Sequence, residues 1–156
     1  MKANSMEKFL PISVRDFGQM ITGNFVYIDK TRYIYEMARV PQAYYFLARP
    51  RRFGKSLTVS TLAALFEGRK ELFKGLWIEK SDWEWKPYPV VEIDFNEVDA
   101  RSAEALEETL AINLERVAAR HGLHLKHQLV TTRFIELITA LSQKYSEKVV
   151  ILIDEY

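Results

Sequence analysis

Arg49-Pro50-Arg51-Arg52-Phe53-Gly54-Lys55-Ser56 is the stretch whose residue types and spacing most plainly suggest chemistry. A loop that holds phosphate needs consecutive backbone N–H groups at a helix N-terminus, where the helix dipole adds positive potential. It also needs a lysine that reaches the β- and γ-phosphates and a hydroxyl at the next position to ligate magnesium. Gly54, Lys55 and Ser56 supply the end of that pattern, while Arg49 stands where an opening glycine is usual. The cradling amides come mostly from the second half of such a loop, Arg52 to Ser56, so Pro50 in the first half does little harm. A second constellation is Asp154-Glu155, at the end of the aliphatic run Val149-Val150-Ile151-Leu152-Ile153. Acids at the carboxyl end of a buried parallel strand point into the crevice where ligands bind. Asp154 would there hold magnesium, and Glu155 would act as general base on the attacking water.

These groups need elements to carry them. Phe17, Met20 and Ile21 are spaced as one helical face. Phe25-Val26-Tyr27-Ile28 reads as a short extended run, and Asp29 as the N-cap of a helix with Tyr33, Ile34, Met37 and Ala38 that Pro41 ends. Ala43 to Ala48 is a compact apolar run expected to form a strand buried on both faces. The basic loop follows it, then a helix with Leu57, Leu62, Leu65 and Phe66 that Gly68 stops. Leu72 to Tyr88, which holds Trp77, Trp83 and Trp85, reads as an irregular connection anchored by aromatic packing. Val90 to Phe95 is a second expected strand. Two helices follow, one capped by Asp99 or Ser102 with Leu106, Leu110, Leu114 and Val117 on a face. The other is capped by Thr131 or Thr132, with Phe134, Leu137, Ile138, Leu141 and Tyr145. Val149 to Ile153 is the third expected buried strand. Strands that alternate with helices imply an α/β fold with a mainly parallel sheet, and no internal linker divides the 156 residues.

The motifs bear a resemblance to a known family. Tyr27-Ile28-Asp29-Lys30-Thr31, the RPRRFGKS run with Leu57 after it, and Leu152-Ile153-Asp154-Glu155-Tyr156 resemble the AAA-ATPase-like family of bacterial and archaeal proteins. Its members show a YVDKT segment, a phosphate loop written RPRRFGKS and a Walker B strand that ends IDEYD. The resemblance covers nearly the whole chain and makes Arg49 the family's own pattern. It implies a P-loop NTPase-type three-layer sandwich with ATP and Mg2+ as cofactors. The nucleotide-binding residues would be Arg52, Phe53, Gly54, Lys55, Ser56 and Leu57, the metal ligands Ser56 and Asp154, and the catalytic base Glu155. It further implies that residues 1–156 are the N-terminal part of the domain, truncated after the Walker B strand, because a central strand comes later in such chains. The fragment alone is therefore expected to be poorly stable and weak or inactive in hydrolysis. Longer relatives often carry a nuclease-like domain downstream, the route by which nucleic acid could become a partner.

Composition narrows the alternatives. Lys plus Arg is 22 against 21 for Asp plus Glu, so nothing suggests a generally basic nucleic-acid coat. The absence of cysteine excludes disulfides, thiol nucleophiles and Cys-ligated metal centres. No run is long and apolar enough for a bilayer, and no signal-peptide core is visible, so a cytoplasmic protein without a membrane partner is expected. His121, His124 and His127 are read as part of a solvated connection rather than a metal site, since no acid completes a ligand set. Asp29-Lys30-Thr31 is read as a helix start or as a group beside the nucleotide. The leading expectation is an ATP-binding domain with Mg-dependent hydrolysis in the complete protein. A nucleotide-binding switch or interaction module with little hydrolysis is the alternative, and a nucleic-acid-binding module built on the arginine cluster comes third.

Overall fold

The computed structural model describes residues 8–48, 50, 53–95 and 102–154. The chain divides into two compact units, residues 1–85 and 86–156.

In the first unit α1 (Phe17–Thr22), α2 (Thr31–Ala38) and α3 (Lys55–Phe66) are followed by two 3₁₀ turns, Lys70–Phe73 and Trp77–Lys80. Phe17, Ile34, Ala64, Leu65, Leu72, Phe73 and Ile78 form the core. Trp83 and Trp85 pack against it, the aromatic anchoring expected of that connection. The α1 cap is Asp16, whose carboxylate accepts the Gln19 N–H at 2.7 Å. Gly68 ends α3 at φ 73, with its N–H on the Leu65 carbonyl and the Arg69 N–H on the Ala64 carbonyl. That pair of bonds satisfies the last carbonyls of the helix, as the sequence leads one to expect of a glycine there.

The expected strand from Ala43 to Ala48 is not formed. Residues 43–48 enter no β-ladder and are exposed, with Tyr44 98% and Phe46 72% accessible. An extended segment becomes a strand only when a neighbouring chain completes its ladder. In this unit the helices close around their own core, and the pairing among described residues is one parallel bridge, Phe9 to Phe25.

The second unit runs β1 (Val90–Asp94), α4 (Ala103–Arg120), α5 (Val130–Tyr145) and β2 (Val150–Asp154). The strands pair in parallel with Val90 opposite Val150 and Asp94 opposite Asp154. This is an α/β arrangement with a small parallel sheet. Parallel neighbours need a crossover, and α4 with α5 supplies it. Val91, Ile93, Leu114, Val117, Ala118, Leu137 and Leu141 form the core between sheet and helices. The Ser102 hydroxyl caps α4 by accepting the Ala105 N–H at 3.1 Å, while Asp99 lies outside the described residues.

Two expectations need correction here. β2 is not buried, since Ile151 and Ile153 remain 40% and 46% accessible, because two strands leave an edge that no third strand covers among the described residues. Thr131 and Thr132 lie inside α5 rather than at its cap, which is Leu129 and bonds through no side chain. The Glu136 carboxylate accepts the Lys126 and His127 N–H groups, at 3.0 and 3.2 Å, and so brings the chain into the helix ahead of both threonines.

Candidate functional site

Gly54 is the residue on which the phosphate-loop expectation turns. It stands at φ 75 and ψ 26 as the cap of α3, a left-handed conformation that strains any residue with a Cβ. A Cβ added there would meet nothing within 4 Å, so backbone conformation rather than space favours glycine. Gly54 offers no side chain to cap the helix. The first intrahelical bond goes from the Thr58 N–H to the Gly54 carbonyl at 2.9 Å. The N–H groups of Lys55, Ser56 and Leu57 therefore have no partner within the helix, and they point along its axis at the positive end of its dipole. Phe53 is 63% exposed at the mouth of this turn. The Leu57 side chain packs against the core of the first unit, so what Leu57 can offer a ligand is its N–H. Phe53 to Leu57 are thus brought together in one turn, while Arg52 lies outside the described residues, as do Arg49 and Arg51.

Asp154 closes β2 in the second unit, at the carboxyl end of a parallel strand as expected. Its register partner is Asp94, and register partners on parallel strands present side chains to the same face. Asp94 stands at the end of the second expected strand, and only the pairing register sets it opposite Asp154. Glu155 lies outside the described residues.

The Tyr27 to Thr31 segment is a structural joint. One oxygen of Asp29 accepts both the Thr31 N–H at 2.8 Å and the Thr31 hydroxyl at 2.7 Å. Its other oxygen accepts the Trp77 N–H at 2.6 Å. The fully buried Thr31 hydroxyl in turn accepts the Ile78 N–H at 3.1 Å. Burial opposes the charge on Asp29, yet the bonds from Thr31 and Trp77 outweigh it and hold its carboxyl below the ordinary value of 3.8. Both oxygens are engaged in fixing the start of α2 to the second 3₁₀ turn. Asp29 is not the N-cap expected of it: the cap of α2 is Lys30, which makes no side-chain cap bond, and Asp29 stands one residue earlier and holds the first N–H of the helix, that of Thr31. Burial is the main reason the Tyr27 phenol is pushed above its ordinary value, with the Thr61 hydroxyl of α3 opposing it.

The histidines are spread apart in their contacts. His121 pairs with the Tyr145 hydroxyl at 2.8 Å, and His124 lies 4.0 Å from Glu115. Among the described residues no helix is long and apolar enough to cross a membrane.

The Predicted AAA-ATPase family matches residues 11–156. The chain belongs to this family. Membership supports nucleotide binding in general and agrees with the resemblance drawn from the motifs. A curated relative, described as an uncharacterized protein in the vnfD 5' region of Azotobacter chroococcum mcd 1, is 38% identical over 151 residues. That match spans 96% of this chain and 29% of the relative, so the chain corresponds to under a third of that protein's length. No solved structure matches.

Proposed function

We infer that this chain binds Mg·ATP through the turn from Phe53 to Leu57 and that the complete protein hydrolyses it. The observation that carries the reading is the left-handed Gly54 leading into an uncapped helix whose first residues are Lys55 and Ser56. Unpartnered N–H groups at a helix start are an anion site by their own electrostatics, and a lysine at the first position adds a full charge. The amides from Arg52 to Leu57 cradle phosphate oxygens, and Lys55 neutralises charge on the γ-phosphate. Ser56 and Asp154 offer hard oxygen donors of the kind magnesium takes, one or two from protein and the rest from phosphate and water. Bound magnesium would supply neutralisation of the phosphate charge. Glu155 is the proposed base that orients and deprotonates the attacking water. The three-layer P-loop sandwich and residues 1–156 as its N-terminal part belong to the same reading.

Calorimetric titration of ATP with Mg2+ into the wild type and Lys55→Ala tests it. One charge-assisted contact contributes about 1.5–3 kcal/mol, so the variant should bind roughly ten- to a hundredfold more weakly. Lys55 is the first residue of α3, and the described bonds assign its side chain no structural partner, so folding should be little affected. Equal affinity in the two proteins refutes the phosphate-loop assignment. Phosphate release by the complete protein then distinguishes an ATPase from a module that binds without turnover.

A further inference from the structure

The turn that begins α3 has no side-chain cap, so its position is set by the body of the helix behind it. That body is apolar on more than one face: Leu57 and Leu62 are half-buried, and Ala63, Ala64 and Leu65 are buried. A helix with a single apolar stripe is oriented by hydrophobic burial, but one without it is not, because burial carries no direction. Directional bonds must fix its rotation. Two adjacent hydroxyls make them. Ser60 accepts the N–H of fully buried Phe17 at 2.8 Å and donates to the second Asp16 oxygen at 3.0 Å, which ties α3 to the start of α1. Thr61 is 1% exposed, faces the Tyr27 phenol on which its hydroxyl acts, and donates to the Leu57 carbonyl at 2.6 Å. Ser60 lies four residues after Ser56, so the two share one face of the helix. Gly18 leaves room for the Asp16 side chain, since a Cβ there would stand 3.1 Å from the carboxylate oxygen that caps α1.

We propose that Ser60, held by Asp16, is a positioning residue for phosphate binding, setting the rotation of α3 and hence the aim of the amides and hydroxyl of its first turn. The inference rests on the nucleotide-binding reading above and assigns the contact that makes it precise. Its test is a set of full-length variants titrated with ATP and Mg2+ by calorimetry, at a temperature where circular dichroism shows each to be folded. Ser60→Ala removes the joint and leaves the Asp16 cap on α1 intact. It should weaken binding roughly five- to tenfold, about 1–1.4 kcal/mol. Ser60→Thr keeps the hydroxyl and should restore most of the affinity. Asp16→Asn keeps a cap oxygen for α1 but replaces one acceptor oxygen with a donor, so it should fold and bind more weakly in the same direction. If Ser60→Ala does not fold, the Asp16→Asn and Ser60→Thr pair decides. A purely structural joint would lower the melting temperature and leave the affinity of the folded protein unchanged. That result overturns the proposal when Lys55→Ala, titrated in parallel, still weakens binding. Unchanged affinity in Lys55→Ala instead refutes the phosphate-loop reading itself.

Discussion

Thr31→Val removes one oxygen from the joint at the start of α2 and changes almost nothing in shape. The hydroxyl serves two bonds, a donation to Asp29 at 2.7 Å and an acceptance from the Ile78 N–H at 3.1 Å. Ile78 is fully buried, so its N–H loses its acceptor where water cannot replace it, at about 1–3 kcal/mol. The bond to the Asp29 carboxylate adds about 1 kcal/mol, kept low because that carboxylate is exposed. The methyl that replaces the hydroxyl recovers up to about 0.8 kcal/mol by burial. The net loss is roughly 1.5–3 kcal/mol. For a unit of this size each kcal/mol lowers the melting temperature by about 4–8 °C, so a drop of at least about 6 °C follows. Tryptophan fluorescence is the assay, because Trp77, Trp83 and Trp85 all lie in the first unit and Trp77 lends its own N–H to Asp29. Thr31→Ser, which keeps the hydroxyl and loses a methyl, should cost about 1 kcal/mol. A Thr31→Val protein as stable as the wild type, or more stable than Thr31→Ser, would refute the view that this hydroxyl fastens the segment. The sign with pH follows from the depressed Asp29 pKa. Its stabilisation is whole above the unfolded value near 3.8 and is lost as pH falls below that toward the folded one.

Two other outcomes are expected. Gly54→Ala should destabilise the first unit by about 1 kcal/mol, with Gly54→Asn milder because asparagine tolerates the left-handed region; urea midpoints that rank alanine equal to glycine would contradict the φ of 75. In the second unit, burial and then the charges of Lys144 and Arg120 hold the His121 imidazole below its ordinary 6.5, so stability is whole above that value and lost as pH falls through it. Amide exchange around residues 117–123, corrected for intrinsic rates, should quicken between pH 7 and 5.5, and His121→Gln should flatten the trend; no pH response in the wild type would sink this assignment.

Local structure was legible in the sequence wherever it depends on near neighbours. The Gly54 turn into α3, the stop at Gly68, the Ser102 cap and the start of a helix just after Asp29, though with Lys30 as its cap, each involve residues within a few positions of one another, and short-range sterics and hydrogen bonding decide them. The apolar spacing of α4 and α5 likewise fixes which faces meet, and so the core of Leu114, Val117, Leu137 and Leu141. Family membership was legible for a related reason, since its motifs are contiguous runs. Pairing was not. The run from Ala43 to Ala48 has the composition of a buried strand, yet strand formation belongs to two segments at once, and the first unit closes around helices instead. The same holds for the exposure of Ile151 and Ile153 and for Asp94 opposite Asp154, which depend on register between segments 60 residues apart. Ser60 carried no signal either, because a serine inside a helix looks like any other, and Thr31 was marked only as part of the Asp29-Lys30-Thr31 run, not as the acceptor of a distant N–H. Only packing brought Asp16 within 3.0 Å of Ser60, across 44 positions, and set Ile78 against Thr31 across 47. A hydrogen bond needs an orientation as well as a neighbour, and orientation across that much chain is set by the fold.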